Sequence, residues 1–409
     1  MSESEQTQEP PKSIMEISAY DPEARDNPHP KMKQLRETSP VMRDEALKTW
    51  LLTRYDDVRA TVNDRTFDRH PSNAEPGSMM SMLVDPDDPD GRRSSILFLD
   101  DPDHARNRLP LVKAFYARIK KMEPDIEAII DRIIDAAPHS GRFDLMEHIA
   151  VPLPIAIIAH ILGVDENRLE EFRDWSEGVI LGLNPARSDE ETAYMQASAD
   201  KLNAYFTQLM EERRITPRDD LISDMVQAQA DGGDFDDDEL RTNLQALLVG
   251  GNLTTTDLIG NGVWLFLNHP DQLEALKADP TLAGQAVEEV LRFEAPVQAT
   301  SRVVSEDREV AGCPMKKSQP VFMLLAAANR DPAKFEAPET FDITTKRASH
   351  MSFGGGAHIC IGAPLARIEA RRVYQKLFER YPNMTLPKQD IVWRSLPFFR
   401  GIERLDVEV

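Results

Sequence analysis

The residue best suited by type to do chemistry is Cys360, one of two cysteines in the 409-residue chain. It lies in Phe353-Gly354-Gly355-Gly356-Ala357-His358-Ile359-Cys360-Ile361-Gly362. The glycines of this loop let backbone approach something flat and bulky, and they permit positive φ angles that aim amides at a sulfur. From Ala363 to Glu379 the chain carries Arg367, Arg371, Arg372 and Lys376 on a polar face and Leu365, Ile368, Val373 and Leu377 on an apolar one, so the loop is expected to empty into a helix. Unpaired amides and the dipole at a helix N-terminus lower a thiol pKa, and the thiolate is the form that ligates a metal. Cys360 is therefore read as an iron ligand. For the residue taken alone, a structural cysteine beside a glycine turn is the plainer alternative.

Three other groupings have spacings that could carry chemistry. His104 and Arg108 follow Asp101-Pro102-Asp103 and, four residues apart, share one face of a helix capped near the aspartate, forming a two-point cationic clamp. A solvated helix face would show the same pattern. Between Thr242 and Leu267 the stripe Leu244, Leu247, Leu248, Gly251, Leu258, Ile259 and Phe266 describes a long helix. Its middle, Gly250-Gly251-Asn252-Leu253-Thr254-Thr255-Thr256, holds mostly poor helix formers and is expected to mark a functional kink or a close helix crossing. Glu289 and Arg292 lie three apart on a helix beginning near Gly284, a pair worth only a few tenths of a kcal/mol if exposed.

Phe353, Gly356, Cys360 and Gly362 fit F-x-x-G-x-x-x-C-x-G, a pattern that resembles the haem-binding loop of the cytochrome P-450 superfamily. Asp101–Arg108 resembles that family's D-P-x-H-x-x-x-R, Gly250–Thr254 its distal-helix A/G-G-x-D/E-T, and Glu289–Arg292 its E-x-x-R, all in the family's order. The resemblance implies a mainly α fold with smaller β portions and a long central helix over haem b. It implies Cys360 as the metal ligand, with Phe353, Gly356, Gly362, His104, Arg108, Arg302 and His358 binding the cofactor. Thr254 takes the alcohol position, with Asn252 and Thr255 as further catalytic candidates. Leu253 departs from the pattern at the acid position, so Asp257 would serve only if the helix or a water chain bends toward it, or Asn252 could organise water. Glu289 and Arg292 would brace the core behind the cofactor. The usual third member, an arginine in P-E-R-F, is Thr340 in Pro338-Glu339-Thr340-Phe341, which leaves Lys346 or Arg347. Implied substrate contacts are Met82, Leu83, Leu247, Gly251, Val297, Ala299 and Phe398.

The activity implied is that of a soluble bacterial-type haem-thiolate monooxygenase, inserting one oxygen atom from O2 into a small or mid-sized hydrophobic molecule. Electrons would come from an acidic ferredoxin and its NAD(P)H-dependent reductase. Docking is expected on Arg118, Lys120 and Lys121 together with Arg367, Arg371, Arg372 and Lys376. A peroxide-driven or atypical member, motivated by Leu253, and a non-catalytic haem binding or sensor protein stay open as alternatives.

The elements that must position these residues follow from pattern. Residues 32 to 48 read as a helix and turn, Trp50 to Tyr55 as a strand, and Met122 to Ala228 as mostly helical, while strands gather at 302–304, 309–310 and 321–324. Ala150 to Val164 is apolar but short and interrupted by prolines, hence a buried helix and not a membrane span. Residues 1–19 read as a disordered acidic leader and 20–409 as a single domain. A net charge of -22 excludes nucleic acid as a partner, and two cysteines supply neither a disulfide framework nor an iron–sulfur ligand set. Cys313, in a turn, is given no role. A cytoplasmic monomer is expected.

Overall fold

Apolar residues recurring every three or four positions build the long helices of this chain, whose computed structural model describes residues 9–84, 95–184 and 186–409. The central helix runs Asp237–Asn268 and starts at a capping box, in which Asp236 accepts from the Glu239 amide at 2.8 Å and Glu239 accepts from the Asp236 amide at 2.9 Å. It is buried on most of its circumference and packs against the helices Pro152–Leu162, Leu169–Ile180, Ala283–Phe293 and Ala363–Arg380. Helical hydrogen bonding runs without a break through Gly250–Thr256. Thr254 Oγ1 donates to the Gly250 carbonyl at 2.8 Å, and surrounding helices outweigh the weak local propensity. Gly251 lies against Ile158, so this stretch is a close helix crossing.

The helix Asp103–Ala136, here called the clamp helix, carries His104 and Arg108 on its first turns. The expected apolar helix is Pro152–Leu162, closed by Gly163 at φ 85. Among the described residues no helix is long and apolar enough to cross a membrane.

Five strands form the main sheet in the order Val41–Asp44, Thr49–Leu52, Pro320–Leu324, Ala299–Val304 and Phe67–Asp68. Trp50 pairs Val321 in parallel and Arg302 pairs Val321 antiparallel, which sets Arg302 in the interior of the sheet. Val41–Asp44 was expected to be turn. The strand exists because it hairpins onto Thr49–Leu52, a long-range gain that its mixed polar sequence does not advertise.

The leader corrects the sequence expectation. Ile14–Ile17 forms a turn of 3-10 helix, and Ile14 and Ile17 are buried with Met32, Leu35 and Leu324 under the sheet. Asp44 fastens it, accepting from the Ile14 amide at 3.0 Å and the Ser13 hydroxyl at 2.7 Å. Residues 1–8 lie outside the described residues.

Candidate functional site

The cysteine loop is shaped by its glycines. Gly354 and Gly356 have φ of 67 and 64, and a Cβ on Gly356 would come within 2.5 Å of the Val62 carbonyl. The Cys360 amide donates to the Phe353 carbonyl at 3.0 Å, closing the loop, and Gly362 then caps the helix Ala363–Arg380, the exit helix. The Arg367 guanidinium covers the Phe353 ring at 4.6 Å.

Cys360 is open to solvent as a residue, yet protein encloses its sulfur closely enough that burial is the strongest influence on it and pushes the thiol pKa up. The amides of Gly362 and Ala363 and the guanidinium groups of Arg108 and Arg367 pull the other way, without prevailing. The helix terminus alone therefore does not make the thiolate expected from sequence. A bound metal cation would, because a coordinating thiol is deprotonated outright.

Around this loop the fold gathers basic side chains from four elements. His104 is 3% exposed and its ring lies 4.0 Å from that of His358, centroid to centroid. Arg108 Nη2 donates to the Ile359 carbonyl. Arg302 donates to the carbonyls of Ser301 at 2.8 Å and Val62 at 3.2 Å. Arg69, which the sequence reading missed, donates to Leu97 O at 2.9 Å and to the Ser301 carbonyl and hydroxyl. Burial pushes Arg69 down to about 9 and Arg302 down to about 10. His358 falls to about 2 through burial and the repulsion of Arg69, His104, Arg302 and Arg108. Among the described residues, none of the three arginines has a carboxylate in ion-pair contact, and His104 Nε2 and His358 Nδ1 are buried without partners.

Three arginines without a carboxylate, two of them buried, beside two imidazoles with unpartnered nitrogens are unfavourable by themselves and fit a ligand that brings carboxylates to them. Haem has two propionates, and the cluster lies beside the one cysteine able to ligate its iron. The residues present thus fit haem: Cys360 would hold the iron, and Arg69, His104, Arg108, Arg302 and His358 would hold the propionates. Nothing in the sequence around Arg69 signals this role, because its neighbours Thr300 and Ser301 come from a distant strand.

The distal candidates separate. Asn252 is buried and donates to Ser176 Oγ at 2.7 Å, so it faces the helix Leu169–Ile180 and not the Thr254 stripe, two residues being about half a turn. Its Oδ1 is buried without a partner among the described residues. Thr254 is partly exposed and Thr255 is buried. Asp257 is fully buried and pairs with Arg394 at 3.1 Å.

Glu289 and Arg292 are buried, 4% and 1% exposed, and bond at 2.7 and 2.8 Å. Arg347, not Lys346, completes the brace, 3.1 Å from Glu289 Oε2. The substrate candidates scatter. Leu247 is in the helical core, Gly251 meets Ile158, Met82 is exposed, and Leu83 packs toward Met80 and Val303. Val297 bridges to Phe399, and the Gln298 amide donates to the Phe398 carbonyl at 2.8 Å, which joins the two strips expected to contact substrate. Ala299 and Phe398 pack with Phe322 on the side of the sheet that holds Ile14.

All of the expected basic docking patch except Lys120 is paired with carboxylates of the same molecule. Arg118 is buried against Asp219 and Asp224, and Lys121 reaches Asp219. Arg367 pairs with Glu288, Arg371 with Glu123, Arg372 with Asp131 and Lys376 with Asp135.

Comparison with known proteins decides the family. The family model for cytochrome P450 matches residues 24–399. The chain belongs to the cytochrome P450 family. This P450 is 35% identical to cytochrome P450 107B1 of Saccharopolyspora erythraea, over 96% of this chain and 98% of that protein. It is 36% identical to 6-deoxyerythronolide B hydroxylase of the same organism, over 92% and 94%. The crystal structure of P450BioI in complex with hexadec-9Z-enoic acid ligated acyl carrier protein superposes with a TM-score of 0.86 at 33% identity, covering 95% of this chain and all of that one. The P450 fold expected from sequence is thus present, and the chain is an oxidoreductase of the monooxygenase type.

Proposed function

We propose that this P450 binds haem b and inserts one oxygen atom of O2 into a small or mid-sized hydrophobic substrate, as a cytoplasmic monomer that takes electrons from a ferredoxin and its NAD(P)H-dependent reductase. The carrying observation is the convergence of Arg69, His104, Arg108, Arg302 and His358 on the loop of Cys360, an anion-seeking ring around a single soft metal ligand. When bound, haem supplies the redox chemistry of oxygen activation. The chain's own residues fix the cofactor, enclose the thiol, and place the Thr254 hydroxyl on the central helix.

The substrate class is supported by relatives named for hydroxylating 6-deoxyerythronolide B and vitamin D(3) and for epoxidising epothilone C/D. The bound partner of P450BioI adds a carrier-linked acyl chain to the substrates worth testing. For electron delivery, Lys113 and Lys120 on the clamp helix are exposed and among the described residues have no ion-pair partner, leaving them to meet an acidic ferredoxin.

The test is a spectrum of the dithionite-reduced, CO-bound protein, followed by product analysis under 18O2 with a reconstituted ferredoxin chain. A thiolate-type spectrum lost in Cys360→His, with one labelled oxygen in the product, is expected. A thiolate-type spectrum that survives in Cys360→His would refute the ligand assignment, and product lacking the label would refute the monooxygenase reading.

A further inference from the structure

Inserting one atom of O2 consumes two electrons and two protons for each substrate oxidised, the second oxygen leaving as water, so protons must reach the buried distal side. Leu253 cannot carry one, and Asn252 has no titratable proton and gives its amide to Ser176. Resting on the monooxygenase reading above, we propose that Asp257 and Arg394 form this chain's proton inlet to the hydroxyl of Thr254.

Helix geometry aligns the parts. Thr254, Asp257 and Asn261 are spaced i, i+3, i+7 on an unbroken helix and so form one stripe. Asn261 donates to the carbonyls of Glu294 and Arg400, which fixes that stripe toward the C-terminal strands Val392–Trp393 and Ile402–Arg404. Asp257 is fully buried there, and Gly401 makes its room, since a Cβ at 401 would lie 1.8 Å from Asp257 Oδ1. Arg394 Nη2 meets Oδ1 at 3.1 Å.

Here Asp257 Oδ2 and Arg394 Nε are both buried without a partner among the described residues. The Arg394 side chain, 25% exposed, lines a surface cleft with Ile17, Met32, Gln298 and Phe398, and Gln298 Oε1 in that cleft wall is likewise buried and unpartnered. Two acceptors and a donor thus run from the cleft to the Thr254 stripe, each lacking the bond that a water would supply. Neighbouring side chains at i, i+3 have Cβ atoms about 5–6 Å apart, a gap suited to one bridging water. Burial pushes the Asp257 carboxyl up while Arg394 draws it back, leaving it above the ordinary aspartate range and so able to take up a proton.

The transfer balances. A hydrated proton from solvent reaches Asp257 Oδ2 through the cleft, and Asp257 passes one through the bridging water to Thr254 Oγ1, whose own proton moves to the distal side. Asp257 is left as a carboxylate, held by Arg394 until the cleft reprotonates it. Arg394 keeps its charge throughout and acts as a positioning residue.

The test uses the haem-loaded protein and Asp257→Asn, Asp257→Glu, Arg394→Gln, the Asp257→Asn/Arg394→Gln double variant and Glu369→Gln. Infrared difference spectra on transfer to D2O report the Asp257 carboxyl independently of turnover. A protonated-carboxyl band that exchanges within seconds and vanishes in Asp257→Asn is expected, and a band that exchanges over hours would mean a sealed pair and overturn the proposal. Product formed per NADH should fall at least fivefold in Asp257→Asn, recover in Asp257→Glu, and show a larger solvent deuterium effect. If Asp257→Asn alone does not fold, the double variant, with both charges removed, is measured in its place. Unchanged coupling in the Asp257 variants, or a loss seen only in Glu369→Gln, would overturn it. Wild type that makes no product would instead refute the monooxygenase reading.

Discussion

Replacing Glu289 by Ala should cost far more than its three-residue spacing from Arg292 suggests, because the pair is the hinge pin of the cysteine loop. Its two oxygens receive Arg292 Nε at 2.7 Å, Arg292 Nη2 at 2.8 Å and the Asp342 amide at 3.0 Å, with Arg347 Nε at 3.1 Å. Arg292 goes on to bond the carbonyls of Asn329, Pro338 and Thr340 at 3.1, 2.8 and 3.0 Å. Asn329 in turn accepts from the Met351 amide at 2.6 Å and donates to Ser352 Oγ at 2.8 Å, directly ahead of Phe353. Removing the carboxylate strands two buried guanidinium groups and one amide. Breaking a buried pair from one side costs about 3–5 kcal/mol. Arg347→Ala leaves the Glu289–Arg292 pair intact and loses one ion pair with bonds to the Glu336 and Thr340 carbonyls, about 1–3 kcal/mol. The assay is urea unfolding of the haem-loaded variants, with the CO spectrum as the reporter of the cysteine site. The expected order is Glu289→Ala much weaker than Arg347→Ala, and Glu289→Ala should lose haem before global unfolding. A Glu289→Ala midpoint within 0.5 M of wild type, or one no lower than that of Arg347→Ala, would refute the argument that this network carries load to the loop.

Three shorter predictions concern charge. Burial holds the Glu369 carboxyl well above its ordinary 4.5, so the unfolded chain ionises first and stability is lost as pH rises above 4.5 toward the folded value; Glu369→Gln should stabilise at pH 8 but not at pH 4, and equal shifts in urea midpoint at both would contradict this. His29, packed against Glu294, is driven down to about 4 by burial and by Arg330, so its neutral form must be charged on unfolding in acid and stability falls between pH 6.5 and 4, by roughly 3 kcal/mol at 1.36 kcal/mol per pH unit; thermal melts of His29→Gln should lack most of that decline. Because Arg371 and Arg372 are neutralised by Glu123 and Asp131, Arg371→Gln/Arg372→Gln should change the rate of reduction by an acidic ferredoxin less than threefold, whereas Lys113→Glu/Lys120→Glu should slow it more at low salt than at high salt; stopped-flow rates in the opposite order would return the docking site to the exit helix.

The parts of this molecule that sequence discloses are those whose cause is local. The central helix could be read because leucines recur along it, and the cysteine loop because only glycine tolerates the φ of 67 and 64 found at Gly354 and Gly356. Ala150–Val164 could be read as a buried helix because it is apolar apart from His160 and too short and proline-interrupted to span a membrane. What stayed hidden is pairing across the chain. Arg372 looks like a free docking charge until Asp131, 241 residues earlier, is folded against it. Ile14 looks like part of a leader until Asp44 receives its amide. Gly250–Thr256 stays helical despite poor propensity counted residue by residue, because the packed helices around it decide the outcome collectively.

The same distinction explains the division within the site. Cys360, His104 and Arg108 stand in motifs because loop and helix geometry constrain their neighbours as well as themselves. Arg69 has no such local signature: its guanidinium is placed by carbonyls at Leu97 and Ser301, from two different segments, and any chain that returned there could have supplied a cation. Asp257 is the converse case. In sequence it was a distant substitute for the acid missing at Leu253, dependent on a bend of the helix or of a water chain. In the fold the stripe it shares with Thr254 runs toward Arg394 and the cleft, and Gly401 leaves it the space. A missing residue in a motif is thus weak evidence of a missing chemical step wherever a neighbouring turn of the same helix can face the same atoms.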